Sequence, residues 1–178
     1  MARKKIKGVN IECVQGDIAS QDDMQAVVNA ANAQLMPGGG VAGAIHRKAG
    51  RGLAEECKPL APIKPGEAVI TGAHELPNEY VIHCLGPVYG VDKPEDKLLA
   101  SCYEQALDIA EEKKITSVAF PALSTGAFGY PMKEAAEIAF ETVKKKTDSL
   151  QSVTTIRFVL FSKSDLQKHE EVFNRVFG

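Results

Sequence analysis

The chain has no apolar run approaching the ~18–20 residues needed to cross a bilayer as a helix, so no membrane span is expected. It also lacks a surplus of either charge. Lysine and arginine number 21 against 23 acidic residues, a formal net charge of −2. That balance gives no general attraction toward nucleic acid or an anionic membrane surface. The basic pieces "ARKKIK" and "VKKKTD" are short, and read as a solvated terminus and a solvated helix end. The four cysteines, Cys13, Cys57, Cys84 and Cys102, include no C-x-x-C pair. Zinc ligation and a disulfide framework are therefore not expected, and reduced thiols point to the cytoplasm. No apolar stretch of signal-peptide length follows the basic N-terminus. No Gly-Lys-Ser or Gly-Lys-Thr occurs, which removes the phosphate-loop lysine and its magnesium. Neither a metal nor a cofactor is expected.

What is present is ordinary for a globular chain: 44% hydrophobic and 25% charged residues over a length of 178, which fits one domain spanning 1–178. "VNIECVQ", "AVVNAA", "EAVITGA", "YVIHCLG", "ITSVAF" and "TIRFVLF" read as strands. Between them, Leu99, Cys102, Tyr103, Ala106 and Ala110 make a helical stripe over 95–113. Met132, Ala135, Ala136, Ala139, Phe140 and Val143 make another over 131–146, with Pro131 suited to the first helical position. "SDLQ" at Ser164 has the form of a capping box opening a last helix. Alternating strands and helices predict an α/β sheet covered on both faces.

Gly38, Gly40 and Gly43 match the dinucleotide fingerprint G-x-G-x-x-G, with Glu55 and Glu56 near the offset of a ribose carboxylate. The context does not support that match. A dinucleotide fold needs its first glycine almost directly after the strand, whereas Asn32 to Pro37 intervene here. The two glutamates also lie in the helix-like "GLAEECKPL", not at the tip of a strand. The glycines still allow close backbone approach to a ligand and leave amides free for anions. A second glycine loop, "FPALSTGAFGYP", leads from a strand toward a helix start, the form of an anion cradle. Two such loops at the carboxyl ends of strands would flank a crevice for a phosphate-bearing ligand.

"CVQGDI", "VVNAAN", "GGGVAGAIHRKAG", "GEAVIT", "YVIHCLGP", "PALSTGAFGYP" and "FVLFS" follow one another in the order of the macrodomain family, which the chain resembles over nearly its whole length. The resemblance implies a three-layer α/β/α fold with a mixed, mostly parallel sheet. It also implies ADP-ribose as ligand, with ADP-ribosylated proteins or metabolites as partners. Direct RNA binding has been attached to some relatives, but the near-neutral charge and the lack of an aromatic–basic pattern argue against nucleic acid here, as the lack of an apolar span argues against a membrane. By resemblance, Asp17 accepts a hydrogen bond from the adenine amine and the Ile18 amide reaches the same ring. Phe161 matches the position that stacks on adenine. The amides of Ser124, Thr125, Gly126 and Ala127 match the diphosphate loop, and Phe128 the aromatic beside the distal ribose. Asn32 matches the ligand of the distal ribose hydroxyls, and Gly39, Gly40 and Val41 the backbone closing over that sugar. Read from the residues alone, Asp17 serves equally as a helix cap, and Phe161 as a core side chain. Asn29, His46 and His83 read as structural.

The sequence departs from the mono-ADP-ribosylhydrolase branch at Ala42, where that branch carries the aspartate proposed to activate water. Coronaviral macrodomains also read "GGGVAGA" but carry a histidine where this chain has Pro37. Two functions therefore stand. One is a hydrolase of ADP-ribosyl esters (modified Asp or Glu, O-acetyl-ADP-ribose or ADP-ribose-1″-phosphate), with Asn32 and Gly40 at its catalytic centre. The other is a non-catalytic reader of ADP-ribose.

Overall fold

The computed structural model describes Met1–Gly178 and gathers seven strands into one sheet. The strands are β1 (Ala2–Ile6), β2 (Val9–Gln15), β3 (Ala26–Ala30), β4 (Ala68–Gly72), β5 (Tyr80–Cys84), β6 (Ser117–Phe120) and β7 (Thr155–Leu160). The helices are α1 (Gly40–Ala49), α2 (Arg51–Cys57), α3 (Glu95–Glu112), α4 (Met132–Lys146) and α5 (Lys163–Phe177). The strand order is β1-β2-β7-β6-β3-β5-β4. The five central strands run parallel, and each edge strand pairs antiparallel with its neighbour. This is the mixed, mostly parallel three-layer α/β/α arrangement expected.

Period-two alternation divides the core between two faces. Ala26 and Val28 pack with α3, α4 and α5, whereas Val27 packs with α1, α2 and the 3-10 turn at Ile18–Ser20. A strand buried on both faces reads as a continuous apolar run, which is why "AVV" and "FVL" carry no polar residue. Five of the seven phenylalanines (Phe120, Phe140, Phe158, Phe173 and Phe177) lie in the larger core cluster, several with rings in edge or tilted contact. Each such pair adds about 0.5–1.5 kcal/mol beyond its buried area. The other two, Phe128 and Phe161, fall after the ends of β6 and β7.

The topology creates a crevice. After β3 the chain runs over the α1–α2 face to β4 and β5; after β6 it runs through α4 on the opposite face to β7. β3 and β6 are neighbours, so their following loops depart in opposite directions. Such a switch point is the usual ligand site of open α/β sheets.

Local expectations need four corrections. "ARKKIK" is not simply a solvated terminus: Ala2–Ile6 forms edge strand β1, whose three central basic side chains face solvent. Charged side chains of this kind blunt a sheet edge against unwanted pairing. Pro131 is the N-cap of α4 and not its first helical residue, because its ψ of 130° is extended. The cap of α5 is Ser162, whose Oγ accepts from the Asp165 amide at 3.0 Å; Ser164 is already helical. Phe161 is not a core residue, being 86% exposed.

Candidate functional site

The carboxyl ends of the parallel strands converge on a cleft of about 340 Å³. One wall is the loop Gly38–Gly40 with the start of α1. The other is the segment 122–128 after β6, and the ends of β3 and Gly86 after β5 form the base. Of the residues expected at the site, Asn32, Gly39, Gly40, Val41, Ser124, Gly126, Ala127 and Phe128 line this cleft. Thr125 belongs to the same loop but turns away, donating through Oγ1 to the Ala122 carbonyl at 2.7 Å.

The second loop is a row of open donors. The amides of Ser124, Gly126, Ala127 and Phe128 have no hydrogen-bond partner, whereas the Thr125 amide makes a long 3.4 Å bond to Ala122 O. Phe128 thus adds an open amide to the three of Ser124, Gly126 and Ala127. The loop is held in shape by Gly129 N to Gly126 O at 3.0 Å, Tyr130 N to Ser124 O at 2.9 Å and Tyr89 N to Phe128 O at 2.9 Å. Ser124 has a positive φ of 68°, a left-handed conformation that costs a side-chain-bearing residue roughly 1–2 kcal/mol. Its hydroxyl is buried without a partner. Gly86 explains the close fit: a Cβ there would collide with Ser124 Oγ. Its role was not anticipated, although a glycine directly after the buried strand "YVIHC" was the available signal.

The first loop delivers a helix N-terminus. Gly39 caps α1 without a side-chain bond, and Gly43 N bonds to Gly39 O at 3.2 Å, so the amides of Gly40, Val41 and Ala42 precede the first α-helical bond. The partial positive charge there, about half an elementary charge, opens on the cleft. The α4 N-terminus does not, since no residue beyond Phe128 lines it. Gly43 lets α1 sit this close, because a Cβ at that position would strike the Gly38 carbonyl. Asn32 shapes the same loop: its Oδ1 accepts from Met36 N at 3.0 Å and its Nδ2 donates to Met36 O at 2.8 Å. One donor hydrogen and one lone pair of that amide remain open toward the cleft.

Asp17, Ile18 and Phe161 stand two and three strands away from β3, at the ends of β2 and β7, where Gly16 N bonds to Leu160 O at 2.9 Å. Asp17 does cap the following turn, its Oδ1 accepting from Ala19 N at 2.9 Å. Its Oδ2 has only a 3.5 Å contact with Ser20 Oγ, so the capping and acceptor readings are compatible. The Ile18 amide has no partner. Ordered along the sheet, these features run from an exposed aromatic and a carboxylate at β2–β7, through open amides after β6, to Asn32 and the glycines after β3.

No titratable side chain lines the cleft. His83 is fully buried on β5. Its Nδ1 lies 3.1 Å from Asn29 Nδ2 and its Nε2 lies 2.9 Å from Thr71 Oγ1. Burial, reinforced by nearby His46, pushes its pKa down to about 3. Burial likewise lowers that of His46. Ala42 contributes a methyl group to the cleft wall. The would-be ribose carboxylate Glu56 is occupied at the far side of α2, accepting from Gly72 N at 3.2 Å and contacting His74 Nε2 at 2.7 Å.

Comparison with known proteins agrees with this geometry. The family model described as Macro domain matches residues 28–139, which include both glycine loops. A macro domain-containing protein of Methanosarcina mazei is 44% identical over 167 residues, covering 93% of this chain and 89% of the relative. The solved Oceanobacillus iheyensis macrodomain with ADP superposes with a TM-score of 0.94 at 35% identity, covering 98% of this chain and 95% of that one. A Trypanosoma brucei macrodomain in complex with ADP-ribose gives a TM-score of 0.83 at 32% identity, covering 90% and 68%. With fold, loop order and sequence agreeing along most of its length, the chain belongs to the macro domain family.

Proposed function

We propose that the chain binds ADP-ribose and hydrolyses ADP-ribosyl esters, acting on mono-ADP-ribosylated Asp or Glu, O-acetyl-ADP-ribose or ADP-ribose-1″-phosphate. The observation that carries the binding reading is the order of features along the strand ends. Phe161 and Asp17 suit a purine, four open amides suit a diphosphate, and Asn32 with the glycine loop suits a terminal sugar. From β2 to β3 is three strand spacings, about 14 Å, a span that an extended dinucleotide-like ligand bridges. Relatives solved with ADP and with ADP-ribose support the same ligand class.

With no ionisable side chain in the cleft, catalysis rests on position and charge. Asn32 and the Gly40 backbone hold the distal ribose while water adds to its anomeric carbon. For an ester at the anomeric carbon, the bond from that carbon to the ester oxygen breaks, the carboxylate or phosphate leaves with the electron pair, and a diphosphate oxygen of the substrate takes the water's proton. For an acetyl on another ribose hydroxyl, water adds to the acyl carbon instead and the ribose hydroxyl leaves. The open amides and the α1 N-terminus hold the diphosphate that performs this step. The same absence of an acid or base favours the second reading, a non-catalytic reader. The buried, unpaired cysteines fit work in the reducing cytoplasm.

Incubation with a glutamate-linked mono-ADP-ribosylated protein distinguishes the two readings. Release of free ADP-ribose is expected. Tight binding with no release over hours would leave only the reader. Ala42→Asp, which adds a carboxylate to the cleft wall, is expected to raise the release rate on the order of tenfold or more by general-base assistance.

A further inference from the structure

A second cleft, of about 640 Å³, lies on the other side of the glycine loop and shares Gly38 with the first. Arg47, Arg51 and Lys58 line it against a single acid, Glu55. The chain has five arginines. Arg3, Arg157 and Arg175 are ion-paired, whereas Arg47 and Arg51 have no carboxylate within 4.0 Å, nor does Lys58. All three cations are exposed. The Arg47 guanidinium lies against Gly43, within reach of the ridge that separates the two clefts. Beyond the opposite wall the charge reverses. There Glu95, Asp96 and Glu134 surround Tyr89 and Tyr130, which are hydrogen-bonded to the 124–128 loop, with Lys93 as the one cation of that lining and Glu137 paired to Arg175. The ligand cleft is therefore flanked by unpaired positive charge beside its glycine loop and by a net negative balance, three acids against Lys93, beyond the other loop.

Resting on the reading of the first cleft as an ADP-ribose site, we infer that the second cleft receives an acidic stretch of the polypeptide that carries the modification. A chain joined to the distal ribose must leave over the glycine ridge. Carboxylates in it meet Arg47, Arg51 and Lys58 on one side and repulsion on the other. The preferred substrate is thus ADP-ribose on a side chain embedded among acidic residues, in preference to a small ADP-ribosyl metabolite.

Three titrations test this: free ADP-ribose, and two peptides bearing ADP-ribose through an amide nitrogen so that the linkage survives, one flanked by Asp and Glu, the other by Lys. The wild-type protein is expected to bind the acidic conjugate about tenfold more tightly than the lysine conjugate, the sum of a few exposed ion pairs. That preference should shrink in about 0.5 M salt, where screening is strong. Arg47→Glu with Arg51→Glu should abolish the preference and leave free ADP-ribose affinity within about twofold, since neither side chain lines the first cleft. The neutral Arg47→Gln/Arg51→Gln protein should fall between, and provides the measurement if charge reversal impairs folding. Equal binding of both conjugates by the wild type would overturn the inference, as would a parallel loss of free ADP-ribose and conjugate in the variants. Failure of the wild type to bind free ADP-ribose would overturn the reading of the first cleft and this inference with it.

Discussion

The two ends of the sheet are built on opposite terms. At the amino ends of the parallel strands the charged side chains are tied into a network. Arg157 donates to Glu12 at 2.8 Å and in a fork to both oxygens of Asp23 at 2.8 Å, and Arg3 closes on the other oxygen of Glu12 at 2.9 Å. Gln25 links β3 to the start of β6 through Ser117 Oγ and Thr116 N, and Asn78 Nδ2 donates to the carbonyls of Gln21 and Met24. At the carboxyl ends the loops keep amides open, hold Ser124 in a left-handed conformation and leave its buried hydroxyl unpaired. Backbone donors left without a protein partner along one cleft are free to bind a ligand's oxygens, which the paired side chains at the other end are not. One end serves stability and the other recognition.

Cutting the paired end should have the largest effect. Glu12→Ala leaves Arg157 and Arg3 without the buried carboxylate between them and is expected to cost about 3 kcal/mol of stability in urea unfolding. ADP-ribose affinity of the folded variant should be unchanged; a matching loss of affinity would mean that the two ends are coupled. Gly43→Ala tests the other end. Its Cβ would push the Gly38 carbonyl away, and ADP-ribose binding should weaken by about thirtyfold, or ~2 kcal/mol. The expected binding loss exceeds any further change in cooperative unfolding once the strain is taken up by the loop.

Acid reports on the core between the two ends. His83 is neutral in the folded protein, and its pKa falls to about 3 from 6.5, so the unfolded chain takes up the extra proton as pH drops. Its contribution is intact above pH 6.5 and is lost progressively toward about pH 3, with a slope of roughly 1.4 kcal/mol per pH unit. Urea midpoints measured between pH 7 and pH 4 should show this decline, and His83→Asn should flatten it. The smallest effect is expected at Phe161. Phe161→Ala removes an exposed ring and should leave thermal stability within experimental error, while ADP-ribose affinity falls by roughly 1 kcal/mol through lost stacking. An unchanged affinity would remove the aromatic from the purine end of the site.

By itself the sequence determined most of the elements, because periodicity is a local property, though not edge strand β1. The two-residue alternation of "VNIECVQ" and the apolar stripe from Leu99 to Ala110 both became the elements they predicted. It also pointed to two glycine loops that the fold sets on either side of one cleft. Caps were less legible. Ser162 and Ser164 offer equivalent hydroxyls, and the choice between them depends on where β7 stops pairing with β2. Tertiary structure alone decided three matters. It turned Phe161 out to solvent, because β7 ends at Leu160 and the next side chain lies beyond the packed layers. It made Gly86 a site residue by bringing β5 against the 124–128 loop across 38 positions of sequence. It also left Arg47 and Arg51 unpaired while pairing every other arginine, because ion pairs form between groups that packing brings within 4.0 Å, and no spacing in a linear sequence encodes that proximity.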